Sequence, residues 1–258
     1  MADSKKRRYT TLENALRLLK SFSEDEPELG VNEIAAKLRI GTSTAHRILS
    51  SLAEEGFVVK DPASNKYTLG LAVLQLTNTV TEQIKIIKDS SFLLKELTQE
   101  TGESSHIGII DGDAVIYLQK VNGIHPVKLD SHLGKRNPIH CTSSGLAYLA
   151  FKSPAFIEKR LTGPLKAYTS YTITNNDQLK KRLSQIRKQG YVRTDREFRD
   201  DIYAIGAPIY KSPQEVIASI NIAGPAKRVK PRKNFYTEKV IEASRQISAI
   251  ITERHKRK

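Results

Sequence analysis

The segment from Val31 to Gly70 constrains the fold more than any other part of the chain, because two short helical patterns are followed there by two strand-like runs. The first predicted helix runs from about Asn32 to Leu38, and the second from about Ser43 to Glu55. In both, apolar residues recur at the three- and four-residue spacing of a helix that buries one face. These residues are Ile34, Ala35 and Leu38 in the first helix, and Ala45, Ile48, Leu49 and Leu52 in the second.

The break between the helices and the outer face of the second helix indicate a DNA reader. We expect Gly41 to provide the backbone reversal, since glycine adopts conformations closed to other residues. The outer face of the second helix is small and polar with a single guanidinium, so it can enter a major groove. Its residues are Ser43, Arg47, Ser50 and Glu54. The alternative is an ordinary helical subdomain whose outer face is only solvated.

Two β-prone runs follow directly, Phe57–Lys60 and Lys66–Leu69, on either side of a turn-rich loop. A two-stranded ribbon after a recognition helix is typical of a winged helix-turn-helix. We expect Lys60, Asn65 and Lys66 to contact phosphates or the minor groove beside that helix.

The residues from Val31 to Gly70 closely resemble the DNA-binding domain of IclR-type transcriptional regulators. The most specific parts are Ser43-Thr44-Ala45-His46-Arg47, Glu55-Gly56-Phe57 and Tyr67-Thr68-Leu69-Gly70, in this order. The resemblance implies that the second helix reads a duplex, and we expect Arg47 to contact a base, with guanine as the candidate. Secondary base and phosphate contacts are expected from Thr42, Ser43, Thr44, His46 and Ser50.

Length and composition are those of a two-domain globular protein. The chain has 258 residues, of which 39% are hydrophobic and 27% charged, and it contains no apolar run of about 18 residues that could span a membrane. Residues 1–8 are charged and lack the apolar segment of a signal peptide. A single cysteine, Cys141, excludes an intrachain disulfide. We therefore expect a cytoplasmic protein.

The net charge of +14 suggests a nucleic-acid partner, but the charge distribution does not locate the site. Residues 1–80 contain eleven Lys or Arg and ten Asp or Glu, a net charge of +1. Residues 81–258 contain thirty-one and eighteen, a net charge of +13. The helix-turn-helix pattern, rather than the charge, therefore identifies the DNA-binding part. For the basic run Lys5–Arg8, an arm along the DNA backbone and a disordered tail both remain open.

A further helix is predicted before the helix-turn-helix, followed by an acidic loop at residues 23–30. Thr10 and Glu13 have the spacing of a capping box. An apolar stripe after them is expected to pack beneath the helix-turn-helix. The stripe consists of Leu12, Ala15, Leu16, Leu19 and Phe22.

The chain is divided as residues 1–70, the winged helix-turn-helix domain; residues 71–102, a helical linker; and residues 103–258, an effector-binding domain. In the linker we expect a short helix at residues 71–76 and a longer one from about Val80 to Gly102. A stiff linker of this kind would transmit a signal between the domains.

Residues after Ser104 alternate between strand-like and helical patterns, which predicts an α+β domain with antiparallel hairpins. Strands are expected at about residues 105–110, 114–121, 127–133, 191–194, 202–209 and 216–223, with Asp111-Gly112 as the first hairpin turn. Helices are expected at about residues 143–151, 154–161 and 177–189, before a last amphipathic helix. The runs 133–140, 207–209 and 217–225 are similar to the IclR effector-binding domain, which implies a GAF-like fold.

The resemblance also implies where a small-molecule effector binds. Carried over by position, the pocket residues are Leu129, Ser143, Ser144, Thr194, Ile202, Ala204, Asn221 and Ala223. The run Thr142-Ser143-Ser144 should open a helix whose free backbone N–H groups attract an anion such as a carboxylate; the alternative is that these residues simply cap the helix.

This chain departs from the family in the pocket region, which often has Gly at the position of Asp201 and Cys at that of Ala204. The identity of the ligand therefore does not transfer. Asp200 and Asp201, together with Arg199, form either a polar gate or a solvated turn.

Catalytic and metal sites are only weakly indicated. His140-Cys141 could suggest a thiol nucleophile or a redox thiol, but no Asn or Asp partner is indicated and a small buried cysteine is the simpler interpretation. A group of His125, Asp130, His132, His140 and Cys141 has a spacing that matches no common metal motif. We predict no catalytic residue, no metal and no cofactor.

These features predict a sequence-specific transcriptional regulator, with repression as the expected sign and operator binding modulated by the effector. A homodimer or a dimer of dimers would pair two recognition helices across a pseudo-palindromic operator in double-stranded DNA. The alternatives are an activator of the same family and a less sequence-specific nucleic-acid-binding protein, which would bind with a steep salt dependence and no preference among duplexes. Neither enzyme activity nor membrane association is expected.

Overall fold

The computed structural model describes residues 9–23, 25–125, 133–161 and 163–256. The chain divides into two compact units, Met1–Ile84 and Lys85–Lys258. In the part of the chain that is described, no helix is long and apolar enough to cross a bilayer.

The first unit combines helices with a small antiparallel sheet. Its elements are α1 (Thr11–Leu19), β1 (Glu28–Leu29), α2 (Val31–Leu38), α3 (Thr42–Glu54), β2 (Val58–Lys60), β3 (Tyr67–Leu69) and α4 (Ala72–Gln83). The strands lie in the order β1-β3-β2. The ribbon of β2 and β3 confirms the two predicted wing strands, whereas β1 lies in a segment that was expected to be a loop.

Helices α2 and α3 bury the faces that their apolar spacing predicts. Ile34, Ala45 and Leu49 are fully buried, and they pack in one core with Leu18 of α1 and Val58 of β2. Because α3 has this buried stripe on one side only, its opposite side remains at the surface.

The capping box at the start of α1 is confirmed, but the stripe predicted for this helix is wrong. Thr10 accepts a hydrogen bond from the Glu13 backbone, and the Glu13 carboxylate accepts one from the Thr10 backbone. Leu12 and Leu16 are 70% and 51% exposed, whereas Asn14 is buried. The Asn14 amide is satisfied by the Tyr9 carbonyl and the Arg17 guanidinium, so a polar residue occupies the inward face of α1.

The turn between α2 and α3 is made by Arg39, and the expectation for Gly41 is wrong. Arg39 has a φ of 57°, in the left-handed region, and the Ile40 N–H bonds back to the Ala35 carbonyl to close the end of α2. Gly41 has a φ of −67° and serves as the N-cap of α3. Arginine bears the small cost of the left-handed conformation because the hydrogen bonds at the helix end require it.

The second unit is built on a six-stranded, fully antiparallel sheet, which confirms the α+β prediction. Its helices are α5 (Lys85–Thr101), α6 (Ser143–Leu149), α7 (Pro154–Arg160), α8 (Asn176–Gln189), α9 (Ala226–Val229) and α10 (Lys233–Lys256), with a 3-10 turn at Lys230–Arg232. Its strands are β4 (Ser104–Asp111), β5 (Ala114–Val121), β6 (Arg136–Pro138), β7 (Val192–Asp195), β8 (Ile202–Ser212) and β9 (Glu215–Pro225). They lie in the order β6-β5-β4-β9-β8-β7.

Helices cover both faces of this sheet. Helices α5 and α10 pack on one face, and α6 packs on the other face against β8 and β9. An apolar core joins α6 to α7 and α8, with Leu146, Leu149, Leu179 and Ile186 fully buried.

Three details of this half differ from the sequence prediction or lie beyond its test. The linker helices meet at Ile84, where ψ is 81° and the chain leaves helical geometry, rather than between residues 76 and 80. The edge strand β6 was not predicted. Of the strand expected at residues 127–133, all but Leu133 lie outside the described residues, and Leu133 itself is in a turn.

Two glycines allow α6 to approach its neighbours closely. A Cβ atom at Gly145 would lie 2.2 Å from the carbonyl oxygen of Ile139, and one at Gly206 of β8 would lie 2.8 Å from that of Ser143. Any side chain at these positions would push α6 away from the sheet or from the chain that precedes it. The position of the α6 N-terminus on the sheet therefore depends on both glycines.

We predict that Gly145→Ala lowers the free energy of unfolding of the second unit by about 3 kcal/mol, because a methyl group would overlap a backbone atom. Gly134→Ala is the matched control, since Gly134 has a φ of 76° but no atom within 4 Å of an added Cβ. It should lose only about 1 kcal/mol, the cost of a left-handed alanine. Urea unfolding followed by circular dichroism measures both. Equal losses in the two variants would contradict the packing role of Gly145.

Candidate functional site

The outer face of α3 is a continuous polar surface of the first unit. Thr42, Ser43, Thr44, His46 and Arg47 are exposed and Ser50 is partly buried. The structure thus places all six predicted recognition-helix residues on one side of α3, opposite its apolar stripe. Whether they contact DNA stays a prediction.

The N-terminus of α3 presents backbone donors beside these side chains. Its N-cap is Gly41, which has no side chain that could bond to the first N–H groups of the helix. The carbonyl of Gly41 accepts the Ala45 N–H, which begins the helical ladder. Free N–H groups and small hydroxyls at one helix end are suited to a phosphate oxygen.

The wing turn is held by Asp61. Its carboxylate accepts hydrogen bonds from the Ala63 N–H at 2.8 Å and the Ser64 hydroxyl at 2.9 Å, and these bonds lower its pKa. Lys60 and Asn65 are exposed beside the turn. Lys66 differs from expectation, because its ammonium lies 2.8 Å from the Glu28 carboxylate of β1, a contact that raises its pKa.

The second site is a cavity on the α6 side of the large sheet, and the strand register explains its composition. Thr194 of β7 pairs with Ala204 of β8, and Ala204 pairs with Ala223 of β9. Residues paired across antiparallel strands point to the same face, as do residues two apart along a strand. Ile202 and Asn221 therefore join them on that face.

Six of the eight predicted pocket residues line this cavity of about 60 Å³, namely Ser143, Thr194, Ile202, Ala204, Asn221 and Ala223. Ser144 is fully buried against the sheet and is not part of the lining, so its assignment to the pocket wall is wrong. It faces Gly108 of β4, where an added Cβ would lie 3.3 Å from the Ser144 Cβ. Leu129 lies outside the described residues.

Strand β4 contributes a polar floor that sequence reasoning missed. His106 pairs in register with Asn221, and its ring stacks on Tyr117 of β5 with centroids 4.5 Å apart. Burial, assisted by the nearby Lys120, lowers the pKa of His106 to about 3. Burial raises the pKa of Tyr117 to about 12. Both rings are therefore neutral hydrogen-bonding groups at physiological pH.

The loop after β7 supplies the charged part of the lining, Glu197 and Arg199, with Phe198 between them. Glu197 is 7% exposed, and burial raises the pKa of its carboxyl to about 7 against the opposing effect of Arg182. The guanidinium Nη2 of Arg182, on α8, lies 3.2 Å from Glu197 Oε1. Asp200 and Asp201 are exposed, which favours a solvated turn over a polar gate.

The start of α6 favours the capping alternative over an anion site. The Thr142 hydroxyl accepts the Gly145 N–H at 3.2 Å and donates to the Pro138 carbonyl at 2.7 Å. The Ser143 hydroxyl accepts a hydrogen bond from the Asn221 amide at 3.0 Å. The helix has only seven residues, so its end carries little dipole.

Cys141 is buried, and burial raises the pKa of its thiol, which contradicts the lowered pKa that a redox cysteine needs. His140 bonds to the Lys166 carbonyl through Nε2 at 3.0 Å. Among the described residues no group of three His, Cys, Asp or Glu side chains is arranged to hold a metal ion. Asp130 and His132 lie outside them.

The lining residues missed from the sequence are His106, Tyr117, Asn137, Cys141, Thr142, Glu197, Phe198 and Arg199. Some of them had a usable signal, because the loop at residues 195–201 lies between Thr194 and Ile202, both of which were expected in the pocket. The contribution of β4 and β5 depends on which strands pair with β9, and nothing local in the sequence specifies that pairing.

Comparison with known proteins covers both units. The family model described as the bacterial transcriptional regulator IclR C-terminal domain matches residues 78–249, and that of the IclR helix-turn-helix domain matches residues 11–62. The HTH-type transcriptional regulator KipR of Bacillus subtilis is 32% identical over 240 residues, covering 92% of this chain and 95% of that protein. The transcriptional repressor IclR of Escherichia coli is 26% identical over 242 residues, covering 92% and 88%.

A solved structure supports the same fold. An IclR homologue from Microbacterium hydrocarbonoxydans, complexed with 4-hydroxybenzoate, superimposes with a TM-score of 0.83 at 23% identity, covering 94% of this chain and 99% of that chain. With these matches over nearly its whole length, the chain belongs to the IclR family of bacterial transcriptional regulators, which combine a helix-turn-helix DNA-binding domain with a C-terminal effector-binding domain.

Proposed function

We propose that this chain represses transcription by inserting α3 into the major groove of a pseudo-palindromic operator, and that a small molecule in the cavity of the second unit controls this binding. The observation that carries the proposal is the exposed polar face of α3 set against its buried apolar stripe. The named repressor among the relatives supports the sign of regulation.

The contacts expected at the operator divide by chemistry. Arg47 is exposed near the middle of the recognition face and can donate two hydrogen bonds to guanine O6 and N7. Thr42, Ser43 and Thr44 lie at the helix start, where backbone donors and hydroxyls suit a phosphate. His46 and Ser50 flank Arg47, and in the wing Lys60 and Asn65 are the exposed candidates. Lys66 would have to leave Glu28 to reach a phosphate.

The effector is proposed to be a small carboxylate. Arg199 contributes a guanidinium to the cavity wall, opposite the neutral hydrogen-bonding groups of β4 and β9. The cavity of about 60 Å³ suits a compact molecule. An IclR homologue of the same fold is complexed with 4-hydroxybenzoate, an aromatic carboxylate. Control of DNA binding requires that this ligand bind the DNA-competent and DNA-incompetent states with different affinity.

A second copy of the chain is the proposed partner of α1 and α4. Helix α4 is exposed along nearly its whole length, with Leu74, Leu76 and Val80 at 62%, 56% and 52% exposure. Leu12 and Leu16 of α1 are also exposed. A short helix with so little packing is marginal in water, and an apolar surface of this kind is typical of an interface. Two copies would supply the two recognition helices that a palindrome needs.

Selection of bound duplexes from a random-sequence library, with purified protein at near-physiological salt, tests the proposed function. An enriched palindrome is the expected result. Binding without any enriched motif would instead favour a less sequence-specific nucleic-acid-binding protein.

We predict that Arg47→Ala weakens binding to the selected operator by about 1–3 kcal/mol and relaxes the preference at one base position, because a bidentate base contact is lost. Titration of labelled operator and of single-base variants measures both effects. Arg47 is exposed, so the thermal stability of the first unit should not change.

Lys60→Ala is the matched comparison, since it removes a cation of the wing. It should weaken binding about equally for all duplexes and reduce the salt dependence of log K by about one unit of slope. Undiminished affinity and preference in Arg47→Ala would show that α3 is not the base-reading helix.

We predict that Leu74→Glu shifts the protein towards monomers and weakens operator binding by at least about tenfold, because a charge is placed in the proposed interface and bivalent binding is lost. Analytical ultracentrifugation and operator titration measure the two effects. Ile124→Glu is the control, because Ile124 is 72% exposed in the second unit. A Leu74→Glu protein that remains dimeric would exclude α4 from the interface.

A further inference from the structure

Glu197 is a buried acid in the cavity lining with one oxygen left over. Its side chain is 7% exposed, and its Oε2 atom has no hydrogen-bond partner among the described residues. Buried polar atoms are almost always paired in folded proteins, so such an atom needs an explanation. A carboxylate oxygen can only accept hydrogen bonds, and the missing partner must therefore be a donor.

The protein donors around Glu197 are engaged elsewhere. The Thr172 hydroxyl donates to the backbone carbonyl of Glu197 at 2.6 Å, and the Thr169 hydroxyl donates to that of Arg196 at 2.7 Å. The Thr194 hydroxyl is directed to the Ala204 carbonyl at 3.4 Å. These hydroxyls hold the loop in place and leave Oε2 unsatisfied.

The charges that face Glu197 favour its ionised form when a donor is supplied. Arg182 of α8 lies 3.2 Å from Oε1, and the backbone N–H of Asp195 acts in the same direction from outside hydrogen-bonding geometry. The Asp195 carboxylate opposes them, but it is itself paired with Arg196 and Lys230. The Cys141 thiol on the α6 side is neutral, because burial raises its pKa.

We propose that Glu197 accepts a hydrogen bond from the effector, and that the effector is a small carboxylate bearing a hydroxyl or amino group. This inference rests on the effector site of the proposed function and names the chemistry that the ligand must add to its carboxylate. The cavity of about 60 Å³ accommodates about four water-sized groups, which limits the ligand to a few non-hydrogen atoms. Arg199 in the same lining is the counterpart for the carboxylate.

Isothermal titration of the full chain with four three-carbon acids tests the proposal. Propionate carries no donor, lactate and glycerate carry hydroxyl groups, and alanine carries an amino group. At least one donor-bearing acid should bind at least about tenfold more tightly than propionate, and the comparison of lactate or glycerate with alanine identifies the kind of donor. Equal affinities for all four acids would overturn the proposal.

Glu197→Gln and Asp201→Asn separate the carboxylate from its surroundings. The Gln variant keeps the size of the side chain but accepts more weakly, so it should lose about tenfold in affinity for the donor-bearing acid and nothing for propionate. Asp201 is an exposed acid of the same loop, and its variant should bind like the wild type. Unchanged discrimination in Glu197→Gln would overturn the proposal.

The pH dependence of binding distinguishes a carboxylate acceptor from a protonated carboxyl that donates. Since the pKa of Glu197 is about 7, the affinity of the wild type should rise between pH 6 and 8, and that of Glu197→Gln should stay flat. Affinity that falls with rising pH would overturn the proposal. Operator binding is measured in parallel: if none of the four acids binds a protein that still binds its operator, this inference fails while the DNA-binding function stands.

Discussion

The distance between helix α6 and the large sheet determines where the second unit can hold a ligand. Gly145 and Gly206 permit backbone contacts that no larger residue would allow. Because of them, the first turn of α6 lies over the ends of β8 and β9, and the Ser143 hydroxyl reaches Asn221. Small residues at the same level, Ala204 and Ala223, leave the remaining space open. The cavity is thus a result of close packing beside it.

The two functional surfaces differ in how function and stability are coupled. On α3, Arg47 and its polar neighbours are exposed, so their substitution changes recognition with little effect on folding. In the cavity, by contrast, His106, Glu197 and Asn221 are buried, and each takes part in the local structure. Substitution there alters binding and stability together, which is why matched controls are needed.

The sequence predicts most of the fold and much of both sites, with failures of identifiable origin. The periodicity of α2 and α3 is local and was read correctly, and the resemblance to a family brought six distant residues to one cavity. The inward face of α1 was misassigned because it contains Asn14, whose burial depends on Tyr9 and Arg17. Glu197 escaped because its burial follows from strand pairing and from α8, and neither leaves a local pattern.

The unpaired oxygen of Glu197 also bears on how long the protein survives in a cell. A buried carboxyl with a raised pKa weakens the folded state at neutral pH, since the unfolded chain ionises the same group freely. A ligand that satisfies this group binds only the folded state and raises the free energy of unfolding. Proteases degrade molecules that open transiently, so loaded molecules would outlive empty ones. The abundance of the regulator would then follow the supply of its effector, as a slow memory beside the rapid response at the operator.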